Sequence, residues 1–114
     1  MPARADLVTE VLQELNILVA GETPSSEDDA VVDTAIDNAM GELAELHLAY
    51  WEVTDIPFAV MRGLGLVVQG HCGRKFVPSM TVAECEGLRR SGIRLIREVI
   101  AAQADHQIVP QNYF

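Results

Sequence analysis

The sequence predicts an all-α domain of four helices, and three observations predict it. Apolar residues recur at steps of three and four in four separate stretches. Two of those stretches open on marked helix starts, Ser25-Ser26 and Thr81-Val82-Ala83-Glu84. At 114 residues the chain is long enough for one domain with a single modest core. The expected layout is a helical body over residues 1–104, with a short extended segment near 49–53 and an extended C-terminal arm over 105–114.

The first helix is expected over Asp6 to Leu18. Leu7, Val11, Leu15 and Leu18 fall on one line, Val8 and Leu12 lie beside it, and Asp6, Glu10 and Glu14 stand mainly opposite. Gly21 is placed to stop it, and Glu22 to Ser26 read as a turn-rich linker. At the second helix, serine caps precede Glu27, Asp28 and Asp29, carboxylates suited to the positive end of the helix dipole. These three acids fan around a helix and lack the spacing of a calcium loop, so a metal site is not expected. The helix should run to Leu46 or Leu48 with Val32, Ile36, Ala39, Met40, Leu43 and Leu46 inward. Asp33, Asp37, Glu42 and Glu45 would form an acidic outer side, and His47 would mark the helix end. Ala49 to Val53 is richer in aromatic and β-branched residues, which suggests extended backbone; Trp51 should pack at the core edge or a subunit contact.

Ile56 to Phe76 is the stretch around which the chain is organised. Phe58, Met61, Gly65, Val68, Cys72 and Phe76 share one helix side, which Leu64 and Val67 widen. Thr54 or Asp55 is expected to cap it, with Pro57 in the first turn. Gly63, Gly65, Gly70 and Gly73 each cost up to about 1 kcal/mol against alanine inside a helix. Close approach of neighbouring helices would offset that cost. A phosphate loop would need a Gly-Lys-Ser/Thr or a third fingerprint glycine, and neither is there. Arg62 leaves too short an uncharged run for a membrane span. The fourth helix should start at the Thr81–Glu84 capping box and extend to Ala102 or Ala104. Cys85, Leu88, Leu95, Val99 and Ala102 line one side of it, and Ile93, Ile96 and Ile100 an adjacent side. Two apolar sides imply a second burial surface, such as another subunit.

Charge is divided along the chain. Residues 1–55 hold thirteen acids against Arg4 alone, whereas residues 56–114 hold seven bases against four acids. Such a division suits head-to-tail self-association and argues against general affinity for nucleic acid. The clear basic feature is Arg89, Arg90, Arg94 and Arg97, of which the last three align on one ridge. It suits an acidic neighbour better than a single strand, because no aromatic residues interleave it. Cys72 and Cys85 read as reduced core thiols, and with no apolar signal-peptide core at the N-terminus an intracellular origin is expected. No catalytic constellation emerges: His71 and Cys72 are sequence neighbours that point apart on a helix, and the histidines and cysteines lack zinc-site pairing. Neither an enzyme nor a cofactor is expected.

The chain resembles the small adaptor proteins of tailed bacteriophages, also called head-completion or head–tail connector proteins. The resemblance rests on Asp6-Leu7-Val8, Val11-Leu12 and Leu15-Asn16-Ile17-Leu18, then Gly21 and Pro24 to Asp28. It continues through Ile36-Asp37, Leu43 to Leu46, the junction from Tyr50 to Ile56-Pro57, the glycine-bearing central helix and the arginine-bearing fourth helix. It implies a helical subunit of a virion ring, typically twelve copies, beneath the portal and assembled in the host cytoplasm. The ring would extend the DNA channel, help retain packaged DNA and carry the tail or stopper protein. Its implied partners are the portal protein, neighbouring copies, the tail-side protein and nearby packaged DNA, with no membrane. The resemblance implies portal contact through Ile108, Val109, Pro110, Tyr113 and Phe114, and inter-subunit or channel charge from Arg89, Arg90, Arg94 and Arg97. A small regulatory or nucleic-acid-binding helical module using the Arg89–Arg97 ridge is the alternative.

Overall fold

The computed structural model describes residues 2–108, with side chains as far as Gln103. Four helices follow one another: α1 (Arg4–Glu14), α2 (Ser26–Glu45), α3 (Phe58–Phe76) and α4 (Val82–Ile108). The all-α class predicted from periodicity is the observed one. Among the described residues no strand forms; residues 49–51 are irregular and lead into a turn over 52–55 closed by an isolated bridge between Glu52 and Asp55.

Local chemistry sets most helix ends. Ser25 Oγ accepts from the Asp28 N–H at 3.2 Å, and Glu27, Asp28 and Asp29 fill the positive first turn of α2. At α4, Thr81 Oγ1 accepts from the Glu84 N–H while Glu84 Oε1 accepts from the Thr81 N–H, both at 3.1 Å. The start of α3 differs from expectation: Pro57 itself is the cap residue, with no side-chain hydrogen bond from Thr54 or Asp55. Proline has a fixed backbone suited to that entry, and the N–H of Ile56 is instead used on the Pro2 carbonyl at 2.7 Å.

α1 stops earlier than its apolar line suggests. Asn16 adopts a left-handed backbone, φ 60°, and Ile17 donates back to the Leu12 carbonyl while Asn16 donates to Gln13. This pair of bonds is a Schellman closure with asparagine in the position glycine usually takes. Gly21 therefore lies beyond the helix, in the linker. α2 closes the same way: His47 has φ 58°, Leu48 donates to Leu43 and His47 to Ala44. That closure turns Leu48 inward and leaves Leu46, expected inside, on the surface.

α3 is the central element and packs against each of the other three helices. Leu7, Val11 and Leu12 of α1, with Val32, Ile36 and Leu43 of α2, are sealed against Val60, Leu64, Val67 and Val68 of α3. Leu48, Trp51 and Ile56 close the core from the α2–α3 connection. Phe58, expected on the inward face of α3, is 76% exposed, and Val60, two residues on and about half a turn round the helix, takes the buried place. α4 runs to Ile108, past the boundary expected at residue 104. Its 27 residues span about 40 Å, most of the 55 Å long axis of the molecule.

Candidate interaction surfaces

The α3–α4 contact determines which groups of α4 remain available. An added Cβ at Gly63 would lie 2.9 Å from both the Gly92 carbonyl oxygen and Ile96 Cγ1. One at Gly92 would lie 2.7 Å from Val67 Cγ2 and 2.9 Å from the Val67 amide nitrogen. Backbone meets backbone there, and no side chain fits between. Gly70 leaves room for the stem of Arg89 and the Cys85 carbonyl, and Gly73 for Met80, whose sulfur would be 2.7 Å from a Cβ. Gly65 faces α1, where a Cβ would lie 3.3 Å from Glu10 Oε2.

The four arginines of α4 divide accordingly. Cys85, Arg89, Gly92 and Ile96 follow at steps of four, three and four, on the stripe turned to α3. Arg89 thereby reaches α2: its Nε lies 3.2 Å from Glu42 Oε1 and its Nη2 2.5 Å from Oε2. His71 Nε2 lies 2.8 Å from the same Oε1, so one carboxylate joins α2, α3 and α4. The Arg89 hydrogen bond holds Glu42 below the usual carboxylate range, against an opposing push from burial and with help from His71. Glu42 was expected on the outer acidic side, and that expectation fails because Gly70 admits Arg89 beside it. Asp33 and Asp37 of that side are also engaged, by Arg4 at 2.7 and 2.5 Å.

Arg90, Arg94 and Arg97 point outward. Arg90 pairs with Glu86 at 3.1 Å, and Arg94 reaches Glu98 only at 3.9 Å. Elsewhere on α4, Ile93, Val99 and Ile100 are half-buried against the core, whereas Ala102 is exposed. Beside them an open groove of about 320 Å³ is lined by Ala59, Gly63, Leu95 and Val99, with Arg62 and Glu98 at its rim. No protein-family model, curated protein or solved structure matches the chain.

Of the residues assigned to portal contact, Ile108 is the last described residue of α4, while Val109, Pro110, Tyr113 and Phe114 lie outside the described residues. Cys72 and Cys85 are both free and buried. Burial pushes the Cys72 thiol up to about 11, far from the range of a reactive thiolate, and its neighbour His71 is turned to Glu42. Among the described residues no group of three or more histidine, cysteine or acidic side chains is placed to hold a metal ion. Nor is any helix among them long and apolar enough to cross a membrane.

A further polar cleft lies between α1 and α3, lined by Glu10, Glu14, Arg62, Gly65, Leu66 and Gln69, with a volume of about 390 Å³. Glu10 Oε2 is shielded from water and has no hydrogen-bond partner among the described residues. Burial, and secondly the charge of Glu14, raises the Glu10 carboxyl above the usual range. The sequence placed Glu10 on the solvent side of the first helix. Its position one turn from both Asp6 and Glu14 gave no sign that α3 would present a glycine against it.

Proposed function

We propose that this chain is a structural subunit that works by assembly, and specifically a head–tail connector of a tailed bacteriophage. On this reading, copies form a ring under the portal that extends the DNA channel, helps retain the packaged genome and presents a surface to the tail or stopper protein. The phage assignment comes from the pattern of helix ends and apolar spacing described above. The observation that carries the assembly part is the outer side of α4. Three arginines stand out from a strongly acidic chain there, and a groove with Leu95 and Val99 in its wall lies open beside α3. An acidic, partly apolar neighbour suits both features.

The nucleic-acid reading retains less. Arg89 is used by Glu42 and Arg90 by Glu86, so the ridge offers a phosphate backbone chiefly Arg94 and Arg97. If DNA were the main partner, affinity would be measurable at low salt and would fall steeply as salt rises.

Electron microscopy of the chain mixed with isolated portal rings tests the connector reading directly. The expected result is an added ring of density on the portal, lost when Gln107–Phe114 is removed while the helical content of the body is kept. Portal rings that remain bare at every concentration of the full chain would refute it.

A further inference from the structure

We infer that two copies of this chain pair about a two-fold axis through the open groove between α3 and α4, with Arg62 of each copy set against the partner's Glu98. The inference goes beyond the connector reading, because it concerns the free chain before it meets any other component. The first observation is apolar surface left open at one end of the α3–α4 hairpin. Phe58 stands largely in solvent at the start of α3, and the next residue, Ala59, begins a groove whose other wall is Leu95 and Val99 of α4. An exposed aromatic ring beside an apolar groove marks a contact surface. The second observation is charge. Arg62 on the α3 wall and Glu98 on the α4 wall stand at the rim of that groove. The ion pairs of arginine among the described residues use Arg4, Arg89, Arg90 and, at 3.9 Å from Glu98, Arg94; Arg62 enters none.

The arrangement of charge selects the occupant. A cation laid along the groove would meet Arg62 and an anion would meet Glu98, so a partner of uniform charge is repelled at one wall or the other. The complement of this groove is an apolar surface with the two signs in reverse order. The same patch turned by 180° has that order: each Arg62 then faces the partner's Glu98, and the two apolar floors meet. An isologous contact requires this kind of self-complementary patch. Phe58 and Arg62 are four residues apart on one side of α3, so the rotation that carries Arg62 over the partner's α4 brings Phe58 over it as well. Both exposed rings are thereby covered. The hairpin enters the pair as a rigid unit, because Gly63 and Gly92 hold its two backbones in contact, and little ordering is needed on binding. A groove filled in this way is closed to any other neighbour until the pair separates.

Sedimentation of the full chain over a range of concentrations tests the pairing. The wild type should pass from monomer to dimer and stop there, since a two-fold contact uses up its own patch. Arg62→Glu and Glu98→Arg should each raise the dimer dissociation constant about tenfold or more, because each sets like charges together at two equivalent places. Mixed in equal amounts, the two variants should form a heterodimer about as readily as the wild type pairs, because every reversed charge then meets its opposite. A folding defect in either variant would not be repaired by mixing. Phe58→Ser should weaken pairing by a similar factor, with the melting curve of the monomer, followed by circular dichroism at low concentration, unchanged.

A wild type that stays monomeric at every concentration would overturn the pair, as would dimers indifferent to both charge reversals or a mixture no better paired than its components. Species that grow beyond two copies on these same residues would overturn the two-fold geometry. The connector reading is judged separately, by decoration of portal rings. A chain that dimerises and leaves portal rings bare would uphold the pair and refute the connector; one that decorates portals yet never pairs in solution would refute the pair alone.

Discussion

Replacing Gly92 with alanine isolates the energetics of the α3–α4 contact. In an unobstructed helix interior the change should stabilise by about 1 kcal/mol, the propensity difference between the two residues. Gly41 in α2 and Gly87 in α4 are such positions, since nothing lies within 4 Å of an added Cβ at either. At Gly92 the same methyl meets the Gly63 carbonyl oxygen, Val67 Cγ2 at 2.7 Å and the Val67 nitrogen at 2.9 Å. Two of those three atoms are backbone and cannot rotate away. The helices must separate by several tenths of an ångström along their shared seam, which also loosens Ile96. Overpacking of this kind costs about 1–3 kcal/mol beyond the propensity gain. The propensity gain is common to both positions, so Gly92→Ala should be about 1–3 kcal/mol less stable than Gly87→Ala in the same helix. Urea unfolding followed by circular dichroism, with all variants at one protein concentration, measures the difference. If Gly92→Ala proved as stable as Gly87→Ala, the close seam would not exist and the account of α4 built on it would fail.

Three further outcomes follow from the same geometry. Glu42→Gln should cost about 1–2 kcal/mol at neutral pH, because a charge-assisted partner of Arg89 is lost. Since the folded carboxyl is held low, that contribution is complete above the ordinary carboxylate range and disappears as pH falls through the depressed folded range, so urea curves of the two proteins should converge in acid. Asn16→Ala should cost about 1 kcal/mol and Asn16→Gly should be neutral or stabilising, as measured by thermal melts, because only the backbone preference at φ 60° changes. Cys72 should resist iodoacetamide in the folded protein at pH 8 and react promptly in urea, since burial raises its thiol to about 11; equal rates in both states would contradict its position in the core.

How much of this was legible in the sequence depended on whether the signal was local. Ser25 and Thr81 announced their helices because a cap hydrogen bond spans three residues and needs nothing distant. Asn16 and His47 ended theirs without announcement. Each is only moderately suited to a left-handed backbone, and the apolar line of α1 continues past the true end to Leu18, which still packs on the core from outside the helix. Phe58 misled for a related reason: it fits the apolar periodicity, but it is the first residue of α3 and its ring stands in an open groove shared with Pro2, Asp6, Glu10 and Met61. The α3 glycines were conspicuous as an unexplained cost in helix propensity. Their counterpart Gly92 was not singled out, because the apolar lines of α4 run through Leu88 and Leu95 and through Ile93, Ile96 and Ile100, and a glycine carries no side chain to mark the stripe it shares with Arg89. Glu10 and Glu42 were not readable, because a carboxylate on a polar helix side becomes buried only through what a distant helix places over it.

The glycine pattern of α3 also decides the charge pattern of the molecular surface. Arg89 and Arg90 are adjacent and chemically identical, but Arg89 stands on the stripe of α4 turned to α3 and Arg90 on the outer side, one turn from Glu86. Gly70 then admits Arg89, because the absence of its side chain lets the arginine cross the seam to Glu42. A residue with any side chain at position 70 would push the Arg89 stem outward, leave Glu42 with His71 alone and add a fourth cation to the outer ridge. Close packing costs α3 some helix propensity, but it withdraws one arginine to join three helices and presents the other three in a line. The set of arginines open to a partner is thus fixed by a backbone contact made on the opposite side of α4.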